Sequence, residues 1–170
     1  MPIALYRIDD RLIHGQVVVG WGQPLELGFL VLVDDEVAAS EWEQELYRMG
    51  VPPEMSVQFY TVTDAAAHLP ELQKRPETGI VLVGDIGTMR RLVEQSDGRI
   101  RAVNVGGVHH AAGRVQRLRF VFLTPAEEQG LREISEGRTK GDMERAGGLD
   151  PELLDKITRE GMRAYFEKSS

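Results

Sequence analysis

Ile3-Ala4-Leu5-Tyr6-Arg7-Ile8-Asp9-Asp10-Arg11-Leu12-Ile13-His14-Gly15-Gln16-Val17-Val18-Val19 is the stretch that decides between fold classes. The apolar run Ile3 to Ile8 reads as the first strand of a buried sheet, with a charged cluster where that strand ends. By propensity, Val17-Val18-Val19 looks like a second strand. Two neighbouring parallel strands, however, need a crossover of roughly a dozen or more residues, usually helical, and residues 9 to 28 are the only place for it. Gly15 to about Gln23 is therefore read as helix against its propensity, with Pro24 closing it. His14 then stands just before a helix N-terminus.

Working outward, short apolar runs recur at Ile3 to Ile8, Phe29 to Val33, Val57 to Val62, Ile80 to Gly84, Ile100 to Val105 and Arg119 to Leu123. Amphipathic segments separate them. Strands alternating with helices predict an α/β protein, a three-layer open, mostly parallel sheet with helices on both faces. Ser40 is placed to cap a helix from Glu41 to Met49, with Pro52-Pro53 stopping it. Thr63 or Asp64 can cap a helix reaching Lys74, and Pro125 suits the first turn of one ending near Gly137. Asp150-Pro151-Glu152 starts a last helix carrying Leu153, Leu154, Ile157, Met162, Tyr165 and Phe166 at near-helical spacing. With 170 residues, 42% of them hydrophobic, and no linker or repeat, residues 1–170 are read as a single domain.

The formal net charge is −7, and no Lys/Arg stripe could neutralise a phosphate backbone, so nucleic acid is not an expected partner. Cysteine is absent, which removes disulfides and thiolate metal sites. The segment Met1-Pro2-Ile3 reaches Arg7 without a signal-peptide pattern, and Gln23, Pro24 and Glu26 interrupt the apolar stretch from Val17 to Val33. A cytoplasmic location is expected.

In an open α/β sheet the ligand crevice lies outside the carboxyl ends of the strands. A helix starting there presents free backbone N–H groups and a partial positive charge to an anion. Histidine is the side chain that offers a nitrogen nucleophile substantially neutral near pH 7, so its placement at position 14 suits a phosphohistidine. Arg11 would supply a forked donor for phosphoryl oxygens, while Asp9 or Asp10 could accept a hydrogen bond from the other ring nitrogen and hold the tautomer. Gly15 removes side-chain bulk where a donor must approach. Spacing alone equally fits a half-buried structural histidine, and Asp10 with Arg11 equally fits a local ion pair or cap.

The string Ala4 to Gln16, ALYRIDDRLIHGQ, resembles the signature of the enzyme IIB component of the mannose and sorbose family of the bacterial phosphotransferase system. So do Val33-Asp34-Asp35-Glu36-Val37-Ala38, the stretch from Trp42 to Pro53, and Val103-Asn104-Val105-Gly106-Gly107. The resemblance runs in order to about Thr124 and weakly through the last helix. It implies a cytoplasmic phosphoryl shuttle for carbohydrate uptake, a protein-N(pi)-phosphohistidine–sugar phosphotransferase component with no cofactor and no metal. Such a protein takes phosphate from a phosphorylated IIA protein or domain and passes it to a sugar held by membrane IIC and IID subunits, which bring it to the inner face of the membrane. His14 falls on the phosphorylated histidine, with Arg11, Gly15 and Gln16 stabilising the phosphate and Asp9 and Asp10 supporting them. Asn104, Gly106 and Gly107 border the same crevice, unless the two glycines simply form a turn that needs positive φ.

Two departures from the family pattern stand out. Residues 137–148 lack the alternation of a late sheet-completing strand, so that edge is expected to be short or absent. His109-His110 reads as one exposed and one packing side chain rather than a metal pair, and His68 as a surface residue in mid-helix. Three rival functions compete with the shuttle. A receiver-like aspartyl-phosphate switch lacks the required lysine at a strand end, since Lys74, Lys140, Lys156 and Lys168 are the only ones. A phosphohistidine hydrolase would need Asp10 or Glu36 as general acid. A phosphorylation-dependent regulatory protein would keep the fold and drop transport. Dinucleotide binding has no G-x-G-x-x-G behind it.

Overall fold

Strand β1 (Ile3–Ile8), β2 (Leu27–Val33), β3 (Ser56–Tyr60), β4 (Thr78–Val83) and β5 (Asn104–Val105) form one parallel sheet in the order β3-β2-β4-β1-β5. This is a computed structural model; it describes residues 2–14, 18, 20, 22, 25–118 and 121–141, without the side chains of 118 and 135–141. Alternate residues of the central strands feed two separate cores. Phe29, Val31, Val33, Val81 and Val83 face one, Leu30, Leu32, Ile80 and Leu82 the other. Strands buried on both faces must be apolar throughout, which is why LGFLVLV and TGIVLV read as continuous runs.

Helices cover both faces. On one side lie α3 (Val62–Leu72), α4 (Ile86–Gln95) and α5 (Pro125–Gly141), packing through Leu69, Met89 and Leu131 among others. On the other, Val18 packs with Val37 of α1 (Asp35–Ala38) and with Tyr47 of α2 (Glu41–Met49). The predicted three-layer architecture is the one observed.

Of the predicted helix from Gly15 to Gln23, Val18, Gly20 and Gly22 are helical, and the Val18 N–H donates to the His14 carbonyl at 3.1 Å. The remaining positions, with Gly15 and Gln16, lie outside the described residues, as does the predicted helix after Asp150. Ser40 caps α2 as expected, its hydroxyl accepting the Glu43 N–H at 3.4 Å. Helix α3 starts earlier than predicted because Thr61 is the cap, accepting the Asp64 N–H, and Val62 is already helical and fully buried. Strand β3 therefore stops at Tyr60. Helix α5 runs past Gly137 to Gly141, so the described part of residues 137–148 is helical rather than strand.

The fifth run shortens most. Ile100 and Val103 are buried three residues apart, with Arg101 and Ala102 exposed between them. That spacing drapes a loop over the core instead of supporting a period-two strand. Because β5 pairs with β1 only at Arg7 and Ile8, the first half of β1 keeps an open edge beside a cavity of about 250 Å³ lined by Pro2, Leu5, Tyr6, Gln73 and Arg101 among others. The sixth run, β7 (Val121–Leu123), leaves the main sheet and pairs antiparallel with β6 (Val115–Leu118). A parallel bridge from Val121 to Val108 ties this hairpin back.

Candidate functional site

The site is built where β1 ends. Asp9 has no solvent exposure, and a buried carboxylate must find donors. It finds four. Oδ2 accepts Arg7 Nη2 at 3.2 Å and meets His14 Nε2 at 3.2 Å. Oδ1 accepts the Arg11 amide N–H at 3.1 Å and Arg11 Nε at 3.4 Å. Burial pushes the Asp9 pKa upward, but the Arg11 amide, the Arg7 charge and His14 together outweigh it and hold the carboxyl below its ordinary range.

The backbone makes the ring's approach possible. The Leu12 N–H donates to the Asp9 carbonyl at 3.0 Å and Leu12 itself takes the left-handed conformation, φ 57°. A non-glycine residue there costs on the order of 1 kcal/mol. The turn folds the chain back so that His14, five residues on, reaches Asp9. Its side chain is 17% exposed, neither entombed nor on the open surface.

Arg7 occupies an interior strand position and is 9% exposed. It bridges Asp9 to β5, where Nη1 donates to Asn104 Oδ1 at 2.5 Å. Burial pulls the Arg7 pKa down, and the Asp9 charge opposes that. Neither Gly106 nor Gly107 has positive φ, so a turn geometry does not explain them. Close approach does. A Cβ on Gly106 would run into the Arg7 guanidinium. A Cβ on Gly107 would stand 3.0 Å from His109 Cε1, 3.3 Å from Asp9 Oδ1 and 3.4 Å from Arg11 Nη2.

Asp10 turns elsewhere. It accepts the His109 amide N–H at 2.6 Å and meets His109 Nδ1 at 2.5 Å. Of the two alternatives for holding the His14 ring, Asp9 is the one realised. His109 and Arg7 are the site residues that the sequence reading missed. A guanidinium inside a buried strand was the signal for Arg7, because it must carry a buried partner. His110 is exposed and edge-on to Phe122 at 5.6 Å between centroids. His68 is half-buried and stacks on Tyr60 at 4.7 Å, so it is less superficial than expected. Among the described residues no group of three His, Cys, Asp or Glu is placed to hold a metal ion.

Residues 3–147 match the family described as PTS system sorbose subfamily IIB component. The chain belongs to that family. This IIB component is 33% identical over 159 residues to the sorbose-specific EIIB component of Klebsiella pneumoniae, covering 92% of the present chain and 96% of the relative. It is 34% identical over 161 residues to the mannose-specific EIIAB component of Escherichia coli K12, covering 94% of the chain and 49% of that longer protein. Among solved structures, the IIBSor domain of the Klebsiella pneumoniae sorbose permease superposes with a TM-score of 0.70 at 29% identity, covering 93% of this chain and 97% of that one. The sequence resemblance thus named the right family and fold, and the IIB component takes its place in a sugar phosphotransferase system. Among the described residues, no helix is long and apolar enough to cross a membrane.

Proposed function

We propose that this IIB component accepts a phosphoryl group on Nδ1 of His14 from a phosphohistidine of a IIA protein or domain. It then delivers the group to a sugar held by membrane IIC and IID partners, through which it reaches the inner face of the membrane. The contact between Asp9 Oδ2 and His14 Nε2 carries the reading. A buried carboxylate is an acceptor only, so Nε2 must bear the proton and Nδ1 must present its lone pair.

As the Nδ1–P bond forms, the P–N bond to the donor imidazole breaks, and that imidazole leaves with the electron pair. His14 keeps its Nε2 proton, and the N-phosphorylated ring carries a positive charge that Asp9 balances. Onward transfer reverses the polarity: neutral His14 leaves as the sugar hydroxyl oxygen bonds to phosphorus, and the hydroxyl proton passes to a base on the membrane partner or to water. In this reading Arg11 follows the charge as it moves between nitrogen and oxygen. Gly15 and Gln16 complete the phosphate-stabilising set in this scheme. The EIIAB relative, in which a region like this chain is part of a longer protein, supports a IIA partner.

The test is phosphorylation by a IIA protein charged from its phosphocarrier. One acid-labile, alkali-stable phosphoryl group is expected, assigned to Nδ1 by phosphorus NMR and absent in His14→Gln. An alkali-labile adduct, or normal acceptance by His14→Gln, overturns the reading.

A further inference from the structure

Resting on that reading, we infer that His109 is a second phosphoryl contact, its imidazole clamped by Asp10 so that Nε2 serves the group on His14. Asp10 binds His109 at two points, the amide N–H and Nδ1. Two bonds to one carboxylate fix both the backbone and the ring orientation, and they assign the Nδ1 proton as donor to Asp10. Nε2 is left as the working nitrogen.

The position of the ring follows from Gly107. The point where a Cβ would stand is bordered at once by His109 Cε1, Asp9 Oδ1 and Arg11 Nη2. His109 therefore opens onto the same small space as the guanidinium of Arg11 and the carboxylate that holds His14. Its side chain is 45% exposed, so an incoming group has access to it. The segment is braced from behind as well. Arg114 Nη1 donates to the His109 carbonyl at 2.7 Å, and Arg114 is itself held by both carboxylate oxygens of Glu127 at 2.9 and 3.0 Å.

Charge bookkeeping gives the imidazole its purpose. Asp9 is surrounded by Arg7, Arg11 and His14, whereas Asp10 has the His109 ring against it, an ion pair when that ring is protonated. A phosphoryl dianion on His14 adds negative charge to the turn that carries Asp9 and Asp10, and a proton on His109 Nε2 would offset it. A protonated His109 cancels Asp10 and offers an N–H to a phosphoryl oxygen in one group.

Phosphoramidate, a small-molecule phosphoryl donor, tests this without any partner protein. If wild-type His14 is not phosphorylated by it, the shuttle reading itself fails. If it is, the nitrogen NMR signal of His109 Nε2 is expected to shift on phosphorylation of His14. His109→Ala is expected to accept phosphate about tenfold more slowly and to lose it faster, with His109→Gln, which keeps an N–H donor, recovering part of the difference. A merely structural histidine would change the melting temperature and leave the Nε2 signal unmoved. An unmoved signal, or rates within twofold of wild type in His109→Ala, overturns the inference.

Discussion

Asp9 Oδ2 and His14 Nε2 are 3.2 Å apart, and that one contact selects which ring nitrogen carries the proton. Asparagine at position 9 breaks the selection. Its single oxygen cannot serve Arg7, the Arg11 amide and His14 together, and its NH₂ turned toward the ring would favour the tautomer with the proton on Nδ1. We expect Asp9→Asn to accept phosphate from IIA at least about 100-fold more slowly, as wrong-tautomer variants of orienting carboxylates do. Single-turnover transfer, together with the imidazole nitrogen shifts of His14, measures both halves of this claim. Wild-type rates in the variant would sink it.

The same carboxylate shapes acid stability. Partners hold Asp9 below its ordinary pKa despite burial. Its stabilisation is therefore complete above the unfolded carboxylate value, about 3.9, and is lost as pH falls through the lower folded value. Asp9→Asn carries no such titration. The variant is expected to be less stable by about 3 kcal/mol near neutrality, the scale for breaking a buried ion pair. The gap should narrow steadily from about pH 5 downward. Urea midpoints across that range provide the check, and a gap that widens on acidification would contradict the sign.

Arg11 is more exposed than its neighbours, its side chain at 39%, and it lends both an amide and Nε to Asp9. Arg11→Ala keeps the amide and loses the guanidinium. We expect the fold to persist and transfer to slow by about 10²- to 10³-fold, the scale for losing one donor to developing charge. Stopped-time phosphorylation assays with a circular dichroism control separate this from unfolding. An unchanged rate would reduce Arg11 to a brace for Asp9.

How far the sequence is legible follows from where each signal sits. The cap at Ser40, the strand from Ile3 to Ile8 and the cluster of Asp9, Arg11 and His14 are local, written within a few residues of where they act. The β6–β7 hairpin is not, since Val115, Gln116 and Arg117 are exposed and carry no apolar pattern for a sheet. The Asp10–His109 pair spans 99 positions. Only the pairing of β5 beside β1 brings the two together, so no reading of spacing near His14 reveals it. Gly106 shows the same limit: its glycine is required by the Arg7 side chain, a neighbour that comes from another strand.

Asn104 tests that long-range join. Its Oδ1 takes Arg7 Nη1, while its Nδ2 is buried without a hydrogen-bond partner. Asn104→Ala removes an acceptor from a buried guanidinium. A loss of about 1–3 kcal/mol is expected, read as a lower urea midpoint. Asn104→Asp is expected to recover most of it, because a carboxylate pairs with Arg7 by charge. No loss in the alanine variant would show that Arg7 is satisfied without β5.

The start of α5 offers the last test, because it joins helix stability to the site. Thr124 and Glu127 form a reciprocal cap: Thr124 Oγ1 accepts the Glu127 N–H at 3.1 Å and Glu127 Oε1 accepts the Thr124 N–H at 3.0 Å. Glu127 also holds Arg114, which in turn holds the His109 carbonyl. Burial raises the Glu127 pKa, but Arg114 and Thr124 outweigh it and keep the carboxyl ionised below its usual range. Glu127→Gln retains an oxygen for the cap and gives up the ion pair; Glu127→Ala gives up both. We expect losses of about 0.5 and 1–2 kcal/mol respectively. Amide exchange at His109 should accelerate in both variants, since the brace passes through Arg114 in each. Exchange at His109 that stays at the wild-type rate while α5 is destabilised would show that the helix cap and the crevice segment are independent.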